Sequence, residues 1–327
     1  MKIVRNSEAS IKIQILRGIA IIAVVGIHSI SPDPTKQILI RPFLNFAVGL
    51  FLFLSGLLTS RDSWNPVKRI IKVIIPYLLC TLIYEVMHNI NSPNYMIYAF
   101  IKGVFTGTGA AVMYFIWVYC ELTLLVPFID RLAKSKYNKL WLLVSPIEII
   151  AFSLLPTILK IQIPYFLNMI INVSCLSWFS FYYLGYMLGN RIIKLKVANF
   201  VLFLVGLLTI VWQIIEGFYY YKQGVMNCGT QWKLSSFFFG MVMCVFAYRF
   251  IIGGKGLESN LNFLRILGDF SFGIFISHLA VITILDKLSF WKSIFLPLRV
   301  AIIVVICFLI IKLGRLILGK YAKYFAF

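Results

Sequence analysis

The sequence predicts an all-α membrane protein, a helix bundle that crosses the bilayer about ten times. Hydrophobic residues make up 61% of the 327 residues, charged residues only 13%, and the mean hydropathy is +0.92. Soluble domains usually contain about 25% charged and 45–50% apolar residues. Apolar runs also recur along the whole chain, and each is close to the roughly 20 residues that span the hydrocarbon core of a bilayer.

Ten apolar runs are long enough to be predicted as transmembrane helices. They cover residues 15–32, 43–60, 70–90, 111–129, 139–158, 168–188, 198–216, 234–252, 264–284 and 294–314. The segment 95–107 is too short for a confident span, and we expect an interfacial or re-entrant helix there. Because no long soluble loop separates the runs, we expect one membrane domain over residues 1–327.

The net charge is +20, from 31 Lys and Arg residues against 11 Asp and Glu. These cations lie in short segments between the apolar runs. If the N-terminus is cytoplasmic and the spans alternate, most of the cations face the cytoplasm. This bias predicts a multi-pass protein of the inner (plasma) membrane with both termini in the cytoplasm. It also argues against a nucleic-acid surface, which would need a basic stripe on one soluble face.

The six cysteines show no CxxC pair and no spacing typical of metal ligands. Five of them lie in apolar runs, where cysteine behaves as a small hydrophobe. The first run also lacks the small-residue cleavage site of a signal peptide. Neither a Walker nor a Rossmann glycine motif is present. We therefore expect no disulfide framework, no metal site and no permanently bound cofactor.

The first apolar run contains two residues that are expensive in a bilayer, Arg17 and His28. At about 100° per residue their side chains lie about 20° apart on one helix face, and about 16 Å apart along the axis. Histidine is a suitable general base near neutral pH. Two ordinary interpretations stay open: Arg17 as a snorkelling topology signal, and His28 as a histidine bonded to a neighbouring helix.

Residues 17–28, RGIAIIAVVGIH, resemble the opening motif of the membrane acyltransferase-3 family. FLFLSGLLTSR (51–61) resembles its second-span motif, and VKRIIKVIIPY (67–77) the basic run before its third span. LGDFSFGIFISHLAV (267–281) resembles its late motif, with Phe at both positions where the family has Tyr, and FYYLGYMLG (181–189) adds a weaker match. The motifs occur in the family's order and cover most of the chain.

The resemblance implies an enzyme that transfers an acyl group, usually acetyl, from cytoplasmic acyl-CoA to a hydroxyl group. Arg17 would then bind phosphates of the donor, and His28 would act as general base or as a covalent acyl relay. Arg69 and Lys72 occupy the family's Arg-x-x-Arg position and are further candidate phosphate ligands, with Arg61 as a weaker one. The lysine keeps the charge but loses the bidentate geometry of arginine.

Three further residues are candidates for the site or its walls. Ser55 precedes Gly56, and this pair either lines an acyl channel or permits close helix packing. Glu121 lies in the middle of an apolar run, where an ionisable residue is a functional candidate. It would orient His28 or bind the acceptor hydroxyl, unless it is a buried structural carboxyl. For His278 in the late motif, we favour a structural role.

The sequence thus predicts an acyl-CoA-dependent O-acyltransferase that works in the lipid bilayer on an envelope carbohydrate, a lipid-linked sugar or a small-molecule acceptor. Two other classes stay open. One is a transporter or exporter of a polysaccharide or lipid-linked sugar, and the other is a sensory or structural membrane protein with a vestigial site. Consumption of acyl-CoA that depends on His28 would separate them from the enzyme.

Overall fold

A computed structural model describes residues 7–225, 227–253 and 261–327, and these ranges contain helices but no β-strand. In chain order the α-helices are α1 (Ser7–Ser29), α2 (Pro34–Leu39), α3 (Ala47–Leu57), α4 (Pro66–Asn89), α5 (Pro93–Thr106), α6 (Tyr114–Leu124), α7 (Val126–Lys134), α8 (Val144–Ile149), α9 (Leu155–Leu159), α10 (Tyr165–Val173), α11 (Leu176–Gly189), α12 (Asn199–Lys222), α13 (Leu234–Ile252), α14 (Asn262–Asp269), α15 (Ser271–Leu285) and α16 (Leu296–Leu318). A π-helix, Ile150–Leu154, joins α8 to α9.

The helices confirm a polytopic all-α membrane bundle. Among the described residues, eight helical stretches are long and apolar enough to cross a membrane: Glu8–Ser29, Pro34–Leu57, Pro66–Asn89, Asn138–Leu159, Tyr165–Gly189, Asn199–Lys222, Leu234–Ile252 and Leu296–Phe325. The bent pair α14 and α15 makes a ninth stretch if it is counted as one span, and α6 is a shorter apolar helix.

Several of the ten predicted spans are less regular than expected. The run 139–158 consists of a 3₁₀-helix, α8, the π-helix and α9, and the run 168–188 is interrupted between α10 and α11. In the run 111–129, α6 ends at Leu124 and α7 begins at Val126, with Pro127 in its first turn. Proline has no N–H to donate and fits the start of a helix better than its interior. In the run 264–284 the helix is interrupted at Phe270, directly after the exposed Asp269.

The segment 95–107, which was too short for a confident span, is helical. It belongs to α5, a helix of 14 residues that ends at Gly107. This glycine has φ +65°, a left-handed conformation that terminates helices and favours glycine.

The chain forms two compact units. Unit 1 comprises Met1–Trp64, Leu125–Pro164 and Leu176–Gly268, and unit 2 comprises Asn65–Leu124, Tyr165–Cys175 and Asp269–Phe327. The expectation of a single domain over 1–327 stays a prediction.

Unit 1 is built on close contact between α3 and α11, with α1 packed against α3 and α13. Gly56 on α3 and Gly185 and Gly189 on α11 lie directly against backbone carbonyl oxygens of the opposing helix. A Cβ atom at any of these positions would overlap that oxygen. Small residues allow helices in a membrane to approach this closely. We call these three residues the glycine seam.

Unit 2 contains α4, α5, α6, α10, α15 and α16. The hydroxyl of Tyr84 on α4 donates to the carbonyl oxygen of Ile276 (2.9 Å) and accepts from the N–H of Ala280 (3.0 Å), which joins α4 to α15. After α16 the chain turns at Gly319, which has φ +50°. The 3₁₀-helix Gly319–Phe325 then packs against α4.

Candidate functional site

Helix α1 carries both residues of the first motif without a break. It runs from Ser7 to Ser29 and is largely buried. Arg17 and His28 are partly exposed, whereas most of their neighbours on the helix are buried. His28 lies in the last turn. Because the helix is continuous, the two side chains lie on one face, about 16 Å apart along the axis.

A third polar residue, which was not predicted from the sequence, shares this face. Gln14 lies within about 60° of both Arg17 and His28 around the axis, at 100° per residue. The Nη1 atom of Arg17 donates a long hydrogen bond of 3.4 Å to Oε1 of Gln14. The same periodicity that linked Arg17 to His28 would have identified Gln14.

The late motif meets the first motif beside Arg17. Gly18 on α1 lies against the carbonyl oxygen of Leu264 on α14, and Gly268 lies against the carbonyl oxygen of Gln14. A Cβ atom on either glycine would overlap the opposing backbone. The two glycines are about 250 residues apart in sequence. Together they allow α1 and α14 to cross closely beside the turn of α1 that carries Arg17.

A buried polar network, which was also not predicted from the sequence, lies in unit 1. Nδ2 of Asn45 donates to Oε1 of Gln213 (3.1 Å), and Oγ of Ser236 donates to the same oxygen (2.7 Å). Nζ of Lys233 donates to the carbonyl oxygen of Gln213 (3.0 Å). A carboxylate oxygen of Glu216 accepts the N–H of Ser235 (3.0 Å). Gln213 and Glu216 lie inside an apolar run, and polar residues in such a run would have indicated a buried polar contact.

Lys233 directly precedes α13 and is fully buried. Burial of its ammonium group lowers the pKa to about 8, although the nearby Glu216 carboxylate acts in the opposite direction. A lysine buried in this way titrates much closer to neutral pH than one in water.

Arg61 is exposed, and its guanidinium lies 4.8 Å from the ring centre of Trp64. It also lies near Asp130 on α7. Burial alone would raise the pKa of Asp130, but hydrogen bonds from Lys134 (2.7 Å) and Tyr186 (2.8 Å), together with the charges of Lys134 and Arg61, hold it below its usual value. Arg61 therefore has an anionic neighbour within unit 1.

The remaining basic candidates, Arg69 and Lys72, belong to unit 2. They lie in the first turns of α4, whose start is capped by the side chain of Asn65, which accepts the N–H of Lys68 (3.0 Å). Arg69 is partly buried and Lys72 is exposed. Their three-residue spacing places them side by side on the helix surface.

Glu121, on α6, also belongs to unit 2. Its carboxylate accepts the backbone N–H of Cys175 at 2.7 Å, which gives the carboxylate a structural partner.

The seven candidate residues are thus divided between the units. Unit 1 holds Arg17, His28, Ser55 and Arg61, and unit 2 holds Arg69, Lys72 and Glu121.

The family model of the acyltransferase-3 family, described as an acyltransferase domain, matches residues 10–313. The chain belongs to the acyltransferase-3 family. The matched range contains all seven candidate residues and parts of both units. No curated protein and no solved structure matches the chain. The protein is a multi-pass membrane acyltransferase.

Other motif residues of this acyltransferase have identifiable structural partners. Gly56 belongs to the glycine seam, and Ser55 beside it is partly buried. His278 is fully buried, with Nδ1 at 3.1 Å from the carbonyl oxygen of Ile274 and 2.7 Å from that of Phe275. Because a carbonyl oxygen only accepts hydrogen bonds, Nδ1 of His278 carries a proton.

Proposed function

We propose that this acyltransferase moves an acyl group, most simply acetyl, from cytoplasmic acyl-CoA to a hydroxyl group of an envelope carbohydrate or similar acceptor. The observation that carries this proposal is the arrangement of Arg17 and His28 on one face of the unbroken helix α1. Membership of an acyltransferase family supports it.

In this proposal Arg17 binds phosphate groups of the donor. The planar guanidinium forms paired, charge-assisted hydrogen bonds with phosphate oxygens, so arginine suits this role better than lysine. Gln14 supports the guanidinium from the same helix face. Arg61, Arg69 and Lys72 are further candidates for the donor phosphates. Arg69 and Lys72 add positive charge in the first turns of α4, and Arg61 lies in the segment between α3 and α4.

His28 acts on the acceptor. Its imidazole removes the hydroxyl proton while the hydroxyl oxygen attacks the thioester carbonyl carbon. The new C–O bond forms, the C–S bond breaks, and the departing CoA thiolate receives the proton, so that the products are an O-acyl ester and free CoA. Within this proposal, Glu121 is a candidate to orient His28 and Ser55 a candidate to line the acyl path.

We further propose the orientation that the basic residues predict, with both termini in the cytoplasm of a cell with an inner membrane. The Arg17 end of α1 then faces the acyl-CoA pool, and the His28 end lies about 16 Å deeper along the axis. This orientation supplies the donor to the basic end of the helix.

The test is release of free CoA from acetyl-CoA by the purified protein in detergent, with envelope extract as acceptor. We expect turnover by the wild type and a loss of about 10²–10⁴-fold in His28→Ala, the usual contribution of general base catalysis. His88→Ala is the matched control, because His88 is exposed at the end of α4.

Acetyl-CoA binding should survive in His28→Ala. Two results would contradict the proposal. If the wild type neither binds nor consumes acetyl-CoA, the protein lacks the proposed donor, and a transporter becomes the better hypothesis. If His28→Ala and His88→Ala turn over equally, His28 is not the base.

A further inference from the structure

The last helix and the segment after it carry four exposed cations, which we call the C-terminal basic cluster. Its members are Lys312, Arg315, Lys320 and Lys323. All of them belong to unit 2, and all lie on α16 or on the 3₁₀-helix that follows it. The four residues are grouped within 12 positions at the end of a transmembrane stretch.

The two cations on α16 are held over an aromatic pair. The rings of Phe270 and Phe308 meet edge to face, with centroids 4.9 Å apart. The Arg315 guanidinium lies 4.1 Å from the Phe270 ring centre, and Nζ of Lys312 lies 4.8 Å from that of Phe308. Cations at this distance are attracted to the face of a ring. The pair therefore keeps both charges at the end of α16.

The two cations on the 3₁₀-helix are paired with tyrosines. Nζ of Lys320 lies 5.3 Å from the ring centre of Tyr321, and Nζ of Lys323 lies 5.0 Å from that of Tyr324. The tyrosines are 56% and 37% exposed. Exposed tyrosines beside lysines at the end of a span are typical of the level of the lipid headgroups.

The segment that carries these pairs is packed in place. Ala322 is buried, and the ring of Phe327 lies against Gly314, where a Cβ atom would overlap it. The carbonyl oxygen of Ala326 would lie only 2.8 Å from a Cβ on Gly273. The chain therefore returns against its own unit after Gly319, and the basic cluster lies on an ordered surface.

The charge of this surface is poorly compensated. From Lys287 to Phe327 the sequence contains no Asp or Glu. Two acidic residues of unit 2 flank α15. Asp286 follows the far end of this helix, and Asp269, next to Phe270, lies at the end that is near the cluster. Within unit 2 the four cations therefore outnumber the carboxylate at their own end of α15, so this surface attracts anions.

Exposed apolar side chains adjoin the cluster. Leu309 and Leu316 lie three residues before and four residues after Lys312, so all three share one face of α16. They are 57% and 81% exposed, as expected for side chains that face lipid tails. An anion that fits this surface has a phosphate beside the cations and hydrocarbon chains beside the leucines.

We propose that the C-terminal basic cluster binds the phosphate of an anionic glycerophospholipid, with the lipid's acyl chains along Leu309 and Leu316. The phosphates of acyl-CoA offer the same charge but no paired acyl chains. The proposal is independent of the proposed catalytic roles, because the cluster contains none of the seven candidate residues.

The experiment measures lipid binding to the purified full-length protein by native mass spectrometry, with phosphatidylglycerol and phosphatidylcholine of identical acyl chains. We expect preferential binding of phosphatidylglycerol. Since each cation near a lipid surface contributes about fivefold to the binding constant, Lys320→Gln with Lys323→Gln should weaken phosphatidylglycerol binding by about 25-fold. Binding of phosphatidylcholine should not change.

The matched control is Lys287→Gln with Lys292→Gln, which removes the same charge beyond the opposite end of α15. It should leave phosphatidylglycerol binding within about twofold of the wild type, because a fivefold effect requires a cation close to the headgroup. Lys320→Arg with Lys323→Arg should retain binding, which distinguishes loss of charge from misfolding. Equal effects of the two glutamine pairs would overturn the proposal, because net charge alone would then explain them.

A competition arm separates lipid from donor phosphates. Acetyl-CoA should not displace phosphatidylglycerol, and the Lys320 and Lys323 glutamine pair should bind acetyl-CoA as the wild type does. If the pair loses acetyl-CoA binding and keeps its lipid preference, the cluster belongs to the donor site and the proposal is wrong.

Discussion

Gly56 packs so closely against Tyr182 that a Cβ atom at position 56 would overlap the backbone carbonyl oxygen of Tyr182. Both partners of this contact are main chain, which cannot move aside as a flexible side chain can. The contact therefore fixes how closely α3 and α11 approach each other, and it assigns a packing role to the glycine of the second-span motif.

Gly56→Ala should destabilise the protein by about 1–3 kcal/mol, the usual effect of overpacking. The control is Gly206→Ala on α12, where a Cβ atom would meet Val242 at an ordinary 3.6 Å. Alanine favours helix over glycine by up to about 1 kcal/mol, so the control should be neutral or stabilising. Thermal unfolding in detergent measures both. Equal melting temperatures for the two variants would show that α3 and α11 can separate without cost.

Arg17→Gln should raise the KM for acetyl-CoA by about tenfold or more with a smaller effect on kcat, because a lost charge-assisted hydrogen bond is worth about 1.5–3 kcal/mol. Arg17→Lys should lie between wild type and Arg17→Gln. A phosphate-free thioester, S-acetyl pantetheine, provides the control. All three proteins should use it equally, and a similar loss with both donors would mean that Arg17 does not bind phosphate.

Lys233→Met should reduce the increase in the free energy of unfolding that the wild type shows as the pH rises above 8. The folded-state pKa of about 8 lies below the ordinary 10.5, so between these values the unfolded chain binds more protons and wild-type stability rises with pH. The rise is at most about 1.4 kcal/mol per pH unit. The melting temperature of the wild type should therefore increase relative to that of the variant as the pH rises above 8.

Lys222→Met is the control for that experiment, because Lys222 is exposed at the end of α12. It should follow the wild type at every pH. If Lys233→Met also does so, the ammonium group of Lys233 is solvated in the folded protein.

Glu121→Gln should keep the melting temperature, because the glutamine oxygen still accepts the N–H of Cys175. Glu121→Leu leaves that N–H without an acceptor and should cost about 1–3 kcal/mol. The pH profile of CoA release tests the second role: if Glu121 orients His28, the profile shifts in Glu121→Gln although stability does not. A drop in stability for the glutamine variant would indicate an additional role for the negative charge.

Much of the fold follows from the sequence because a bilayer imposes helices of known length on apolar runs. The runs that contain α4 and α13 were predicted within about four residues at each end, whereas α1 begins eight residues before its predicted start and α12 ends six residues after its predicted end. The interruptions at Leu125, at Ser174–Cys175 and at Phe270 were not predicted. In a soluble helix, a proline such as Pro127 indicates a break. Membrane helices tolerate proline when neighbouring groups form hydrogen bonds with the freed backbone atoms, so the presence of a proline alone does not show whether a membrane helix is interrupted.

The candidate site was only partly predictable. Arg17 and His28 lie on one helix, where a fixed angle per residue relates them, and the same rule reaches Gln14. The contacts between Gly18 and Leu264, and between Asn45 and Gln213, join distant parts of the chain. Periodicity says nothing about which helices become neighbours, so these contacts required three-dimensional structure.

The glycine seam also limits how the protein can move. Transport cycles that work by shear need packed helices to slide past each other by small steps. At the three glycines of the seam, the main chains of α3 and α11 are in direct contact, with no side chains between them that could rearrange. We therefore expect any conformational cycle to carry α3 and α11 as one rigid body, with gating motions at other helix contacts.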